Sequence, residues 1–404
     1  MYRPLASVSS CAADGWGLSR KVVAQLIGRS EEWLRQVEQG QARFDSIQIS
    51  YRLVEVLRFV DPMELIDGSS STRSAARDID LQLTPLRRAI MDHPSTRAFA
   101  PAAEHALPSL ATLRNSLEEC WATWLNSSGR YTELAEQLPG VLIAARSIRS
   151  AAQAVPNGSV EEAGELLVGA YHLARILLTR VGNYDLAWLV ADRPIGILAQ
   201  TARTPLAAAS SWHVASALLS LGYDAECRDY ALAAAQHLAT ESEPGQRLSG
   251  ALQLVAAEGA AGAGDLARSQ DLMANAEQIA EKLDTAAADH RVWFGRIEVA
   301  ITAMNIAVRL GQIDHAIKLA ANVDIPEGTA VNVRVGYYLT TAYAYALRRE
   351  DFAAVFALQQ AERACAEDIR YDWMAHHTLK KLARSDHHLI RRDLAQLLTV
   401  AGLA

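Results

Sequence analysis

Four cysteines in 404 residues, Cys11, Cys120, Cys227 and Cys365, lie far apart and form no CxxC pair. Neither a structural zinc site nor a disulfide framework is indicated. No apolar run approaches the ~18–20 residues of a membrane helix, and the N-terminal MYRPLASVSSCAADGWG lacks the apolar core of a signal peptide. These absences predict a reduced, cytoplasmic protein with no membrane partner. No GxGxxG or P-loop follows a strand pattern, and no GxSxG elbow occurs, so no nucleotide site, cofactor or catalytic residue is expected. His376-His377 and His387-His388 are adjacent pairs, whereas a helical metal pair needs ligands at i and i+4. No metal site is expected.

Half of the residues are hydrophobic, yet aromatics make up only 6%. Alanine and leucine dominate, which favours helices over strands. The length exceeds one compact core, so several domains or a repeat array are expected. The net charge of −7 excludes a general polyanion binder. Residues 1–67 carry eight basic and nine acidic residues, but the first 60 alone are +2. DNA binding there would rest on a few placed bases rather than on a basic field.

Within residues 17–40, Ser19 is a good N-cap, and Val23, Ala24 and Ile27 lie on one helical face. Gly28 permits a tight turn. Ser30 can cap a second helix carrying Trp33, Leu34 and Val37, which Gly40 ends. Ala24, Gly28 and Leu34 fall at positions 5, 9 and 15 of a unit starting at Arg20. A small residue allows close approach, a glycine turns the chain, and a branched apolar residue locks the second helix onto the first. That is the helix-turn-helix pattern. LSRKVVAQLIGRSEEWLRQVEQG with IQISYRLVEVLRFVDPMELI resembles the XRE (lambda-repressor-type) helix-turn-helix domain, and above all actinobacterial regulators with a long helical C-terminal region. The first helix, over residues 4–16, is atypical, with Pro, Ser and Gly and almost no bases. Arg20 stands where the family usually has a phosphate-contacting Gln. The resemblance implies DNA contacts from Arg20, Ser30, Glu31, Arg35, Gln36, Gln41 and Arg43. Glu31 and Glu32 have two readings. In the first turn they complement the helix dipole, at roughly 0.3–1 kcal/mol each; alternatively, one accepts a hydrogen bond from cytosine N4.

GSSSTRSAARD, residues 68–78, reads as a linker, and the segment to 105 as linker with a short helix. Over 106–404 helical hairpins recur. Their turns are marked by Gly129, Gly182, Gly222, Gly264 and Gly311 and by RREDF at 348–352. Leu134, Leu138, Leu142 and Ala145 line one helix face, and Ala163, Leu167, Ala170 and Ala174 another. Such hairpins bury their faces only by stacking. The GRY, GNY and EDF turns resemble those of tetratricopeptide (TPR) repeats. The fold class is thus all-α: a helix-turn-helix domain (1–67) followed by a TPR-like α-solenoid of helical hairpins (106–404).

The TPR resemblance implies groove positions ten, six and three residues before each turn glycine. These include Ile176, Thr179, Ser216, Leu219, Leu254 and Ile301, with His172, Trp212, Glu258 and Asn305 as the preferred ligand contacts. A peptide or small-molecule effector suits this mixture. The expected function is a ligand-responsive, homodimeric transcriptional regulator of specialised metabolism or development that binds a double-stranded DNA operator. The alternative is a TPR-like peptide- or protein-binding scaffold whose N-terminal module no longer binds DNA.

Overall fold

In a computed structural model of the chain, the described residues are 24, 29–38, 81–92, 107–154, 159–198, 205–238, 242–283, 287–326, 328–385 and 389–403. The chain divides into two compact units, Met1–Ala76 and Arg77–Ala404. In the first unit, helix α1 (Glu31–Glu38) is capped by Ser30, whose hydroxyl accepts a hydrogen bond from Trp33 N–H at 3.1 Å. Ala24 and Leu34 are both buried. Arg29 N–H donates to Ala24 O at 2.9 Å, the six-residue bond that closes a sharp helix end.

The second unit is helical apart from one two-stranded hairpin. Helix α2 (Thr84–Met91) is the short helix within the segment that the sequence reads as linker with a short helix. Its Leu86, Ala89 and Ile90 are nevertheless buried in the core of this unit, and Arg146 donates to Ala89 O and to Asp92 O at its C-terminal end. The segment from Arg77 therefore belongs to the array.

Six hairpins follow. Their inner helices are α3 (Leu110–Asn126), α5 (Val160–Arg180), α7 (Pro205–Ser220), α9 (Glu243–Gly262), α11 (Arg296–Arg309) and α13 (Val331–Arg348). The outer helices are α4 (Arg130–Gln153), α6 (Tyr184–Leu198), α8 (Asp224–Gln236), α10 (Leu266–Lys282), α12 (Ile313–Ala321) and α14 (Asp351–Ala364). Four turns repeat one geometry. Gly182, Gly222, Gly264 and Gly311 have φ of 79°, 80°, 82° and 71°. The next residue's N–H reaches back five positions, as from Asn183 to Leu178 O and from Asp265 to Ala260 O, both 2.8 Å. This is the Schellman ending, which selects glycine because a Cβ is strained at positive φ. Arg349 (φ 65°) takes the same place in the last hairpin. Gly129, the first marker read from the sequence, has φ −100° and instead precedes α4.

The inner helices pack in succession, and α13 returns against α3. The stack thus closes into a ring. Helix α9 is buried nearly all round, with Ala251, Ala256, Ala257 and Ala260 allowing its neighbours to approach. Strands β1 (Ala287–Asp289) and β2 (Val292–Phe294) pair antiparallel, with Asp289 opposite Val292. The two residues between them, His290 and Arg291, both have positive φ, as a type I′ turn requires. Phe294 is buried directly against Gly250 of α9, where a Cβ would collide with the ring of the phenylalanine.

The ring is locked by helix α15 (Ala366–Tyr371), which packs on the start of α4. Arg130 and Asp368 are fully buried and bonded through both carboxylate oxygens, at 2.5 and 2.6 Å. Tyr131 Oη donates to Asp368 at 2.8 Å. Glu367 accepts from the N–H groups of Tyr131 and Thr132 at the N-terminus of α4, at 2.6 and 3.3 Å, where the helix dipole favours an anion. Arg130 also stacks over Trp124, 4.5 Å from the ring centroid. Burial alone would weaken Arg130's hold on its proton, but the Asp368 carboxylate reverses this and raises its pKa. A second pair, Arg180–Asp372 at 3.0 Å, lies beside it. Removing one charge from such a pair strands the other. Asp368→Asn is expected to lower unfolding free energy by about 3–5 kcal/mol, while Arg130→Met with Asp368→Leu recovers most of the loss. Urea denaturation checks this, and a loss below ~1 kcal/mol for Asp368→Asn would mean that the pair does not hold the ring.

Candidate functional site

In the first unit, α1 carries the residues that the sequence offers to DNA. Glu32 accepts from Arg35 Nε at 2.8 Å and from Gln36 Nε2 at 3.1 Å. The Arg35 bond is the main cause that holds the Glu32 carboxyl down at about 2, with Gln36 assisting. Glu32 therefore occupies the two side chains that would reach bases, through bonds that are exposed and individually weak. Glu31 is exposed in the first turn, and Ser30 is engaged as the cap. Arg20, Gln41 and Arg43 lie outside the described residues.

In the second unit, the ring encloses a cavity of about 320 Å3. Every inner helix contributes to its wall, from Trp124 of α3 to Asn332 and Gly336 at the start of α13. The hairpin adds Arg291 and Trp293. It spans from α9 and α11 to α3, where Arg291 bonds Glu118 and lies 5.6 Å from the Trp121 ring centroid.

Two of the four ligand contacts expected from the sequence, Trp212 and Glu258, lie on this wall. The other two are absent from it. His172 is buried behind α5 and α7, its Nε2 bonded to Ser210 Oγ at 2.8 Å, and its ring stacks on His213 at 3.9 Å between centroids. One turn of α5 separates it from Ile176, which does reach the cavity. Asn305 supports Glu258 with a side-chain bond and accepts from Thr340 Oγ1 at 3.1 Å. In the last hairpin the wall is formed by Asn332, Val333 and Gly336.

Sequence reasoning passed over Arg175, which is 5% exposed and lines the cavity. Its Nε and Nη2 bond His213 Nδ1 at 3.0 and 2.7 Å, and its guanidinium lies 5.2 Å from the Trp212 ring centroid. Two donors on Nδ1 leave the proton of a neutral His213 on Nε2. Burial, with Arg180 nearby, pushes Arg175 down to about 9. Burial pushes Glu258 up, against the pull of Arg309 and Asn305, and pushes Glu298 up as well. The only sequence sign of Arg175 is a charge on the buried face of α5, seven residues before Gly182.

Among the described residues, no group of three or more His, Cys, Asp or Glu is placed to hold a metal, and no helix is long and apolar enough to cross a membrane. The three described cysteines are buried free thiols, pushed up by burial to about 11 (Cys120) and about 12 (Cys227 and Cys365). They are thus poor nucleophiles.

No protein-family model and no curated protein matches the chain. Among solved structures it is similar to the crystal structure of the APC/C hetero-tetramer Cut9-Hcn1, at 13% identity and a TM-score of 0.23. That match covers 97% of this chain and 89% of the other. At this level the assignment of TPR-like helical repeats rests on the hairpins and turns themselves.

The histidine pair makes stability depend on pH. Burial pushes His172 from 6.5 down to about 3, with Arg175 and His290 assisting. The unfolded chain therefore binds a proton that the folded chain refuses, so stability is intact above pH 6.5 and falls as pH drops toward 3. The slope approaches ~1.4 kcal/mol per pH unit per histidine. His172→Gln is expected to remove about one such increment between pH 6 and 4, measured by urea midpoints. A slope unchanged by the substitution contradicts a neutral buried His172.

Proposed function

We propose that the second unit is a TPR-like binding scaffold that takes a short peptide or small organic ligand inside its ring, without catalysis. The cavity carries this reading. Its volume is at the lower end of small-molecule pockets, about 300–1,000 Å3, and its wall combines tryptophans with polar groups. Arg175, Ser216 and Glu258 supply the polar part of that wall, the kind of group that orients a ligand in a largely apolar pocket.

A polarity-sensitive amphiphilic dye, anilinonaphthalene sulfonate, is expected to bind with one-to-one stoichiometry. Trp212→Ala should weaken it about tenfold or more, the loss of a buried aromatic contact, at unchanged helical circular dichroism. Equal dye binding by both proteins takes the cavity out of consideration.

A second reading is favoured by the first unit. Burial of Ala24 and Leu34, with the Arg29–Ala24 bond between them, supports a helix-turn-helix head. With it, the protein is a cytoplasmic, ligand-responsive regulator acting as a homodimer on operator DNA. The ligand would act by binding two shapes of the array unequally. Selection from a random DNA pool should then retain a sequence whose affinity falls steeply with salt, and Arg35→Ala should relax base preference. A pool that yields no retained sequence leaves the scaffold alone.

A further inference from the structure

Charge is unevenly compensated around the cavity. Of its three arginines, Arg180 is paired with Asp372 and Arg291 with Glu118. Arg175 has no carboxylate partner among the described residues, although it is buried. Its bonds go to the neutral His213, and its Nη1 bonds to no described residue. A buried cation without a counterion is costly. The acidic side is equally asymmetric. Glu258 has Asn305 and the field of Arg309. Glu298 and Asn332 also line the wall, and no basic side chain among the described residues pairs with Glu298. Both side chains can accept a hydrogen bond.

The ring sets these groups apart. Arg175 is on α5 and Glu298 on α11, three helices away in a closed ring of six, which puts them on opposite walls. Apolar side chains, including Trp212, Trp293, Leu254 and Ile301, line the space between. We propose that the cavity binds a zwitterion with an apolar body, of the size of an apolar dipeptide. Its carboxylate pairs with Arg175, and its ammonium pairs with Glu298 and Asn332. A dicarboxylate would bring a second anion to Glu298, and a diamine would bring a cation to Arg175, so each is rejected at one end. A volume of about 320 Å3 matches a dipeptide rather than a long peptide or a folded partner. Pairing each buried ion with an opposite charge supplies the counterion that the empty wall lacks.

This inference rests on the ring interior being a ligand site, and the experiment separates the two. Leucyl-leucine, phenylalanyl-leucine and leucyl-tryptophan are titrated against the dye-loaded full chain, each also as the N-acetyl and the C-terminal amide form. At least one free dipeptide should displace the dye, and either cap should weaken it about tenfold or more, the loss of one charge-assisted contact. Arg175→Met should erase the penalty for the amide and keep that for the acetyl form; Glu298→Gln should do the reverse. The capped ligands test the claim without altering the fold. Dye bound in a Trp212-dependent way, with no dipeptide displacing it or with caps that make no difference, overturns the zwitterion and leaves the binding scaffold standing. Absence of Trp212-dependent dye binding removes both.

Discussion

The buried contact between Arg130 and Asp368 joins residues 238 positions apart and decides the shape of the second unit. Stacked hairpins with a constant small rotation extend as an open superhelix. Here the rotation brings the sixth hairpin back to the first, and the ion pair holds it there with Tyr131, Glu367 and the Arg180–Asp372 pair. Dehydrated charges gain only when the geometry is good and the remaining valences are filled. Arg130 Nη2 donating to both carboxylate oxygens, the phenol donor and the indole face under Arg130 meet most of that demand, while Arg130 Nε is left without a partner. Breaking the pair while either partner stays buried strands a charge, so the contact opposes opening.

Closure changes what the inner helices can do. In an open array, polar side chains on the concave face meet water. In a ring the same side chains share one small volume, where unpaired groups are costly. Behind its wall His172 and His213 stay neutral, buried and stacked on one another. Arg175, on the wall itself, keeps its charge at neutral pH and has no carboxylate partner among the described residues, so the charge left over in the cavity is a product of ring closure as much as of the residues themselves.

Much of this was legible in the chain. The turn glycines announced four of the hairpins because only glycine enters positive φ without strain, and helical periodicity marked the buried faces. Counting back from those glycines places Ile176, Thr179, Trp212, Ser216, Leu219, Leu254, Glu258 and Ile301 on the cavity wall. The count misplaced His172 because one further turn along α5 carries the side chain under α7, where Ser210 satisfies it. The hairpin escaped notice because its tight turn is made by His290 and Arg291, neither of which signals positive φ. Ring closure was not legible, since a pairing of Arg130 with Asp368 has no local signature. The short helix in 81–92 is expected within a linker, but of its apolar residues all except Met91 are buried, a sign of packing that a single short stretch cannot give.

The walls of the cavity differ in how firmly they are held. Around the ring, helix packs on helix through buried alanine and leucine, and the closing pairs are dehydrated. Shifting any of these exposes apolar surface at ~25 cal/mol/Å2 or strands a charge. The hairpin is fixed on one side only, where Phe294 sits on Gly250. Its reach to α3 rests on Arg291–Glu118, whose side chains are 35% and 57% exposed, and such pairs contribute about 0–1 kcal/mol. Both residues of its turn hold left-handed backbone that costs a β-branched or long side chain energy. The hairpin, with Arg291 and Trp293, is therefore the part of the cavity wall that costs least to move.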